Sequence, residues 1–247
     1  MMKLSFSRLD LYLQCPLKYK YRYIDKIKEK PSPYAAFGLS IHRTIQQFFT
    51  HPEGVPTIYD LYNYLEASWV REGYTSPKEE ASFKENAKKM LTKFYQDNIV
   101  NYLKACTVEQ YFEVHTNDFI INGYIDQVNK RGNTYEVVEY KTSKNGKSME
   151  EAEKDLQIAT YHLAFKSIYG FPPNQVIYYN VRSGVKLGIK VTPQMEEFVM
   201  QSYKDIASGI LAERFHFQVG IHCHWCDYQK ICPDREGVSG GQINFPF

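Results

Sequence analysis

The sequence predicts a mixed α/β fold with a helical insertion. Three observations lead there. Apolar residues recur at helical spacing through most of the first hundred residues. From Val108 the period shortens to two and stays so over three segments. A helix, two strands and a further helix then lead into a Cys- and His-dense end that closes at Pro233. The 247 residues are ample for a buried core, and 43% hydrophobic with 23% charged residues excludes a fully disordered chain.

Ser5 or Ser7 caps a first helix carrying Leu9, Leu11 and Leu13, which Pro16 interrupts just after Cys15. A short basic, aromatic helix is expected over 19–24, and Pro31 with Pro33 marks a break. Phe37, Ile41, Ile45 and Phe48 line one face of the next helix. Thr57 caps another, with Leu61, Leu65 and Trp69. Ser76-Pro77-Lys78-Glu79 reads as a cap, a first-turn proline and a first-turn acid, and the helix behind it is expected to reach about residue 104.

Strands follow at 108–114, 119–128 and 135–141, with a turn at Arg131-Gly132-Asn133, which suggests an antiparallel meander. One helix is expected over 148–169, closed by Gly170 and Pro172-Pro173. A hairpin turns at Arg182-Ser183-Gly184, and a last helix spans 193–211. The expected layout is one domain over 1–236 and a poorly ordered tail over 237–247. Within the domain, 17–105 is mostly helical, 106–213 is the core, and Cys15 with 223–232 supplies a thiol cluster.

The formal net charge of +2 points to no partner, but the charge is uneven. Residues 1–30 hold eight Lys/Arg against three acids, interleaved with tyrosines. Lys18, Lys20 and Arg22 can follow phosphates while aromatic rings stack on bases; the same pattern also makes an ordinary amphipathic helix. No run of about 18 apolar residues occurs, so no membrane span is expected. The N-terminus lacks the apolar stretch of a signal peptide, and the chain reads as intracellular and cytoplasmic. There, cysteines are thiols or metal ligands rather than disulfides.

The chemistry concentrates in a few spacings. Glu139 and Lys141, two apart in a strand, emerge on one face while Tyr140 points away. The hairpin can bring Asp126 alongside Glu139. Carboxylate oxygens suit a hard divalent cation, and a lysine beside them can orient or help deprotonate a water, or neutralise a phosphate. Gly38 and His42 share a helix face, as do Gln157 and Tyr161, an amide and a hydroxyl able to hold a phosphate or a carboxylate. Cys223, Cys226 and Cys232 form C-x2-C-x5-C, and Cys15, also followed by proline, is a candidate fourth ligand. Such a set could hold zinc or an iron–sulfur cluster, with His216, His222 and His224 as alternative ligands. Cys106 is left over and expected to be a buried thiol.

Taken in order, G-x3-H (Gly38 to His42), Glu109, G-x-x-D (Gly123 to Asp126), E-x-K (Glu139 to Lys141) and Q-x3-Y (Gln157 to Tyr161) resemble the RecB-like branch of the PD-(D/E)xK nuclease superfamily. The order of elements also resembles that superfamily's core, a mixed central sheet flanked by helices. The resemblance implies that His42, Asp126, Glu139 and the Tyr140 carbonyl bind Mg²⁺ or Mn²⁺, and that Lys141 acts on the attacking water. It implies that Gln157 and Tyr161 position the substrate strand and the catalytic groups, with Glu109 as an accessory. One N-terminal cysteine plus C-x2-C-x5-C further resembles the iron–sulfur nucleases of AddB type and of CRISPR adaptation, which implies a [4Fe–4S] cluster. The expected function is a metal-dependent exonuclease on single-stranded or frayed DNA ends in repair or recombination. The alternatives are a nuclease trimming DNA for CRISPR spacer acquisition and a non-catalytic iron–sulfur DNA-binding module. No G-x4-G-K-[ST] motif occurs, so a helicase would supply any unwinding, and an integrase would be the partner in spacer acquisition.

Overall fold

The computed structural model describes residues 1–233, so the tail expected over 237–247 lies outside the described residues. The chain forms two compact units.

The first unit comprises Met1–Lys30, His115–Ile121 and the chain from Met200. A three-residue strand, β1 (Met2–Leu4), lies parallel to the first residues of β3 (Phe119–Arg131), with Met2 opposite Phe119 and Leu4 opposite Ile121. Ser5 then caps α1 (Phe6–Gln14) by accepting from the Arg8 N–H. Cys15 ends that helix in extended backbone and caps α2 (Pro16–Tyr19), where Pro16 takes the first-turn position that needs no N–H donor. A single π turn, Lys20–Ile24, continues it. Tyr12 and Tyr19 pack edge to face against each other, and Phe215 stacks on Tyr19. The Leu17 N–H donates to the His216 carbonyl, and the Tyr228 hydroxyl donates to that of Ile27. These bonds tie the early chain to its late segment, in which Ile221–Trp225 and Gln229–Ile231 are two short 3₁₀ turns.

The second unit comprises Pro31–Val114 and Asn122–Val199. Its sheet runs β3, β4 (Thr134–Lys141), β5 (Gln175–Asn180), β6 (Val185–Ile189), with β2 (Thr107–His115) also paired to β3. The β3–β4 and β5–β6 pairs are antiparallel and β4–β5 is parallel, so the sheet is mixed. α3 (Pro33–Phe49), α4 (Ile58–Ser68) and α5 (Pro77–Ile99) form the helical insertion. The Thr57 cap is a reciprocal box with Asp60, and Ser76 caps α5. Phe48, Phe94, Leu61 and Leu65 of these helices share one apolar core with Val138, Tyr140 and Tyr179 of the sheet. Each such side chain contributes about 1.5–3 kcal/mol on leaving water.

Some boundaries differ from expectation. α5 stops at Ile99 rather than near residue 104. The helix expected over 148–169 is two: α6 (Met149–Glu153) and α7 (Leu156–Tyr169). The break needs neither Gly nor Pro, because Asp155 leaves helical geometry to accept from the Gln157 N–H, which starts α7 afresh. Cys106 is exposed, not buried, in the short link ahead of β2. The last helix, α8, spans Pro193–Leu211 as expected.

Candidate active site and thiol pocket

Asp126 on β3 and Glu139 and Lys141 on β4 meet at one end of the second unit's sheet. Asp126 Oδ2 accepts the Tyr140 backbone N–H at 3.0 Å, which ties one acid to the residue beside the other. Tyr140 itself points to the opposite face, where its hydroxyl donates to Gln127 Oε1 at 3.0 Å. Each acid therefore has a strand neighbour in a buried cross-strand hydrogen bond.

α3 and β2 complete the cluster. His42 Nδ1 stands 3.5 Å from Asp126 Oδ2, and the imidazole is also hydrogen-bonded to the Tyr140 backbone. Among the described residues, His42, Glu109 and Asp126 form the set of three whose ligand atoms all lie within 4.8 Å of one another. Glu109 reaches it from a left-handed backbone, φ 47°, which a non-glycine residue adopts at a cost of about 1–2 kcal/mol. Strain of this kind collects where geometry serves a site. Gly123 of G-x-x-D lies against the Phe112 ring, and a Cβ there would come within 3.1 Å of it, so the glycine preserves the fit of β3 to β2.

The lysine is held between the acid and the amide. Lys141 Nζ contacts Glu139 Oε1 at 2.5 Å and Gln157 Oε1 at 2.6 Å. Tyr161, one turn along α7 from Gln157, donates to Asp126 Oδ1 at 3.4 Å. Asp155 sets this end of α7: its Oδ1 accepts from the Gln157 N–H at 2.7 Å, and its Oδ2 takes Lys147 Nζ at 2.6 Å. Asp155 and Lys147 are positioning residues that the sequence motifs do not single out. Nothing local in the sequence marks Lys147, and Asp155, inside a stretch that reads as one helix over 148–169, passes for a helix-surface acid.

The electrostatics are those of acids crowded out of water. Glu139 is 2% exposed, and its Oε2 is buried with no hydrogen-bond partner. Burial, reinforced by the Glu139 charge, raises the Asp126 carboxyl well above the ordinary carboxylate range. Burial and Glu139 raise Glu109 as well. Burial lowers His42, against the pull of Glu139, which favours the neutral ring. Burial also pulls Lys141 down, but the Glu139 carboxylate and its hydrogen bond, with Asp155 and Asp126, outweigh it and leave the ammonium favoured.

A sequence profile of the PD-(D/E)XK nuclease superfamily matches residues 3–233. The chain belongs to the PD-(D/E)XK nuclease superfamily. Its mixed sheet flanked by helices is the fold of that superfamily. The Gene 69 protein of Mycobacterium phage D29 is 22% identical over 263 residues, covering 93% of this chain and 96% of the phage protein. A crystal structure of a protein from Eubacterium rectale, provisionally named an exonuclease, superposes with TM-score 0.55 at 9% identity, covering 99% of this chain and 90% of that one. The crystal structure of SSO0001 gives TM-score 0.45 at 14% identity over 94% of this chain and 85% of its own, too distant to carry argument. No helix among the described residues is long and apolar enough to cross a membrane.

The remaining predicted residues lie in the first unit. Cys15, Cys223, Cys226 and Cys232 line one pocket, together with Lys18 and His222. The two 3₁₀ turns end at Cys226 and Cys232, which aims both thiols from tight turns. His222 Nε2 is bonded to the Gln218 carbonyl. Lys20 pairs with Asp25 at 2.6 Å, and Arg22 with Glu29 at 3.3 Å while lying over the Tyr23 ring.

Proposed function

We propose that this superfamily member is a divalent-metal-dependent DNA exonuclease of the RecB-like type, acting on single-stranded or frayed ends and carrying a [4Fe–4S] cluster. The observation that carries the hydrolytic reading is the orphaned, buried Glu139 Oε2 beside a second acid, Asp126, whose carboxyl burial raises well above the ordinary range. A buried carboxylate oxygen without a partner is explained by a cation absent from the protein atoms. Oxygen donors with one imidazole suit Mg²⁺ or, favoured by the histidine, Mn²⁺.

His42, Asp126, Glu139 and the Tyr140 carbonyl would hold that cation, with Glu109 as an accessory. When bound, it would act as a Lewis acid on the phosphodiester and lower the pKa of water. Lys141, favoured as the ammonium, donates to the water or to a phosphate oxygen; Glu139 and Gln157 fix its head group. Gln157 and Tyr161 hold the substrate strand and steady Asp126. The name of the Eubacterium rectale neighbour supports exonuclease action over cutting at internal sites.

The cysteine pocket supports a polynuclear cluster over a single ion. Four thiolates on one zinc at about 2.3 Å stand about 3.8 Å apart. Among the described residues, no cysteine belongs to the group whose ligand atoms converge within 4.8 Å. Four thiols around one pocket, spaced more widely than one ion requires, suit a cluster with several irons. For DNA, Lys20 and Arg22 sit in partly exposed ion pairs, which give way to phosphate at small cost, and Lys18 would add its charge. Such an enzyme would process ends in recombinational repair behind an unwinding partner, or trim DNA beside an integrase during spacer acquisition.

The test is anaerobic purification, followed by end-labelled single- and double-stranded DNA with Mn²⁺ or Mg²⁺. Stepwise loss of nucleotides from single-stranded ends is expected, abolished in Asp126→Ala and Lys141→Ala. Cleavage unaffected by EDTA would overturn the reading.

A further inference from the structure

Among the described residues, Tyr111 of β2 and Tyr124 of β3 are the two tyrosines that meet ring to ring with both rings exposed, at 45% and 55%. Their centroids are 5.2 Å apart, with the planes tilted by 58°. Tyr140 with Tyr179 and Tyr12 with Tyr19, by contrast, are buried pairs.

The neighbours fix where the exposed pair faces. Gln110 and Phe112 turn toward α7, where Gln110 Oε1 accepts the Tyr169 hydroxyl at 3.1 Å and Phe112 meets Tyr161 edge to face. Strand alternation puts Tyr111 on the opposite face, with Glu113, whose Oε1 accepts the Tyr111 hydroxyl at 2.6 Å. That bond anchors the hydroxyl while the ring stays open to solvent. Along each strand the tyrosine is two residues from a member of the clustered ligand set, Tyr111 from Glu109 and Tyr124 from Asp126. Two residues of strand span about 7 Å, a gap that the sugar and base of a single nucleotide bridge. Arg43, exposed on α3 beside His42, adds a cation here. Its charge is felt at Glu109, where it opposes the rise that burial and Glu139 impose.

We infer that Tyr111 and Tyr124 are a stacking platform for a base of single-stranded DNA, next to the phosphodiester that the acids receive, with Arg43 as a phosphate contact. Every base has a π-face, so the platform accepts any sequence. In a duplex those faces are covered by neighbouring base pairs, so the platform selects unpaired strands. The two rings set specificity and take no part in hydrolysis. The inference rests on the nuclease reading above. A cross-strand ring pair also steadies a hairpin, and the variants below separate that role from stacking.

The experiment measures binding by fluorescence anisotropy in EDTA, where metal-dependent cleavage stops, alongside cleavage with Mn²⁺ or Mg²⁺. The ligands are a labelled single strand, the same strand with abasic residues, and a blunt duplex. Tyr111→Ala with Tyr124→Ala should weaken the intact single strand about tenfold and leave the duplex unchanged. The abasic strand should bind wild type and the Ala pair alike, because the rings then have nothing to stack on. Tyr111→Phe with Tyr124→Phe keeps the rings and should bind as wild type. Tyr111→Leu with Tyr124→Leu keeps apolar bulk on the hairpin and should bind as the Ala pair; it carries the comparison if melting curves show that the Ala pair unfolds early. Arg43→Gln should weaken intact and abasic strands equally. A wild type that cuts no DNA with either metal overturns the nuclease reading and this inference with it. In a wild type that cuts, the inference alone is overturned by an intact strand that does not bind saturably, by Ala and Leu pairs that bind it as tightly as wild type, or by an equal loss on the abasic strand.

Discussion

Asp126→Asn should make the metal-free protein more stable while destroying its response to metal. The substitution keeps the side chain's size and keeps an oxygen to accept the Tyr140 N–H, now at 3.0 Å. What it removes is charge. Asp126 and Glu109 bring ligand oxygens within 4.8 Å of one another, and two full charges at about that separation repel by about 3.5 kcal/mol at an effective dielectric of about 20. Partial protonation already relieves some of this, because burial raises both groups. A net gain of about 1–3 kcal/mol remains, equivalent to about 2–12 °C in a chain of this size.

The assay is thermal melting at pH 8 in EDTA and with saturating Mn²⁺. At a hundredfold excess over Kd, Mn²⁺ should stabilise the wild type by about 2.7 kcal/mol, and the Asn variant far less. The pH dependence follows with its sign. Folded Asp126 holds its proton more tightly than the unfolded chain does, so its contribution is full below the ordinary carboxylate range. It is lost as pH rises through the raised value. Metal-free wild type should therefore lose stability with rising pH above the ordinary range, and the Asn variant should lose less. An Asn variant that melts below wild type in EDTA, yet gains as much from Mn²⁺, would refute the view that this charge is held for a cation.

Tyr140→Phe should cost about 1–3 kcal/mol by leaving buried Gln127 Oε1 without its donor, and adding Gln127→Met should recover much of that loss in denaturant melts. Cys15→Ala should lose iron and lower the melting temperature, since Cys15 is the thiol that brings the N-terminal segment to the pocket; Cys106→Ala should leave iron content unchanged. One zinc and no iron in anaerobic wild type would reject the cluster. Neutralising Lys18, Lys20 and Arg22 together should lower the salt slope of DNA binding by about one unit for each phosphate that these cations neutralise; an unchanged slope would move the DNA path elsewhere.

The parts of this molecule legible in the sequence are those written in local periods and caps. Thr57, Ser76 and Gly170 end or begin helices where their side chains or backbones dictate, and the alternation from Val108 onward marks the strands. β1 is not legible, because three residues show no period and the strand exists only through pairing with Phe119–Ile121, over a hundred residues away. The split between α6 and α7 is hidden for a related reason. Asp155 looks like an ordinary helix-surface acid until Lys147 and the Gln157 N–H claim its two oxygens.

The same physics separates the two faces of β3 and β4. E-x-K stands out because residues of opposite charge sit two apart, and the acids gather because register and the Tyr140 N–H leave Asp126 nowhere else to point. Gln127, Asn129 and Arg131 obey the same period-two rule, one residue out of phase, yet they match no reaction and form no motif. Of the three only Gln127 is buried, and its amide is met by the Tyr140 hydroxyl and by Asn129. β3 leaves the core toward its hairpin end, where Asn129 is half-buried and Arg131, its last residue, is exposed. Gln127 is thus answered within the protein, whereas on the other face the buried Glu139 Oε2 has no hydrogen-bond partner among the described residues.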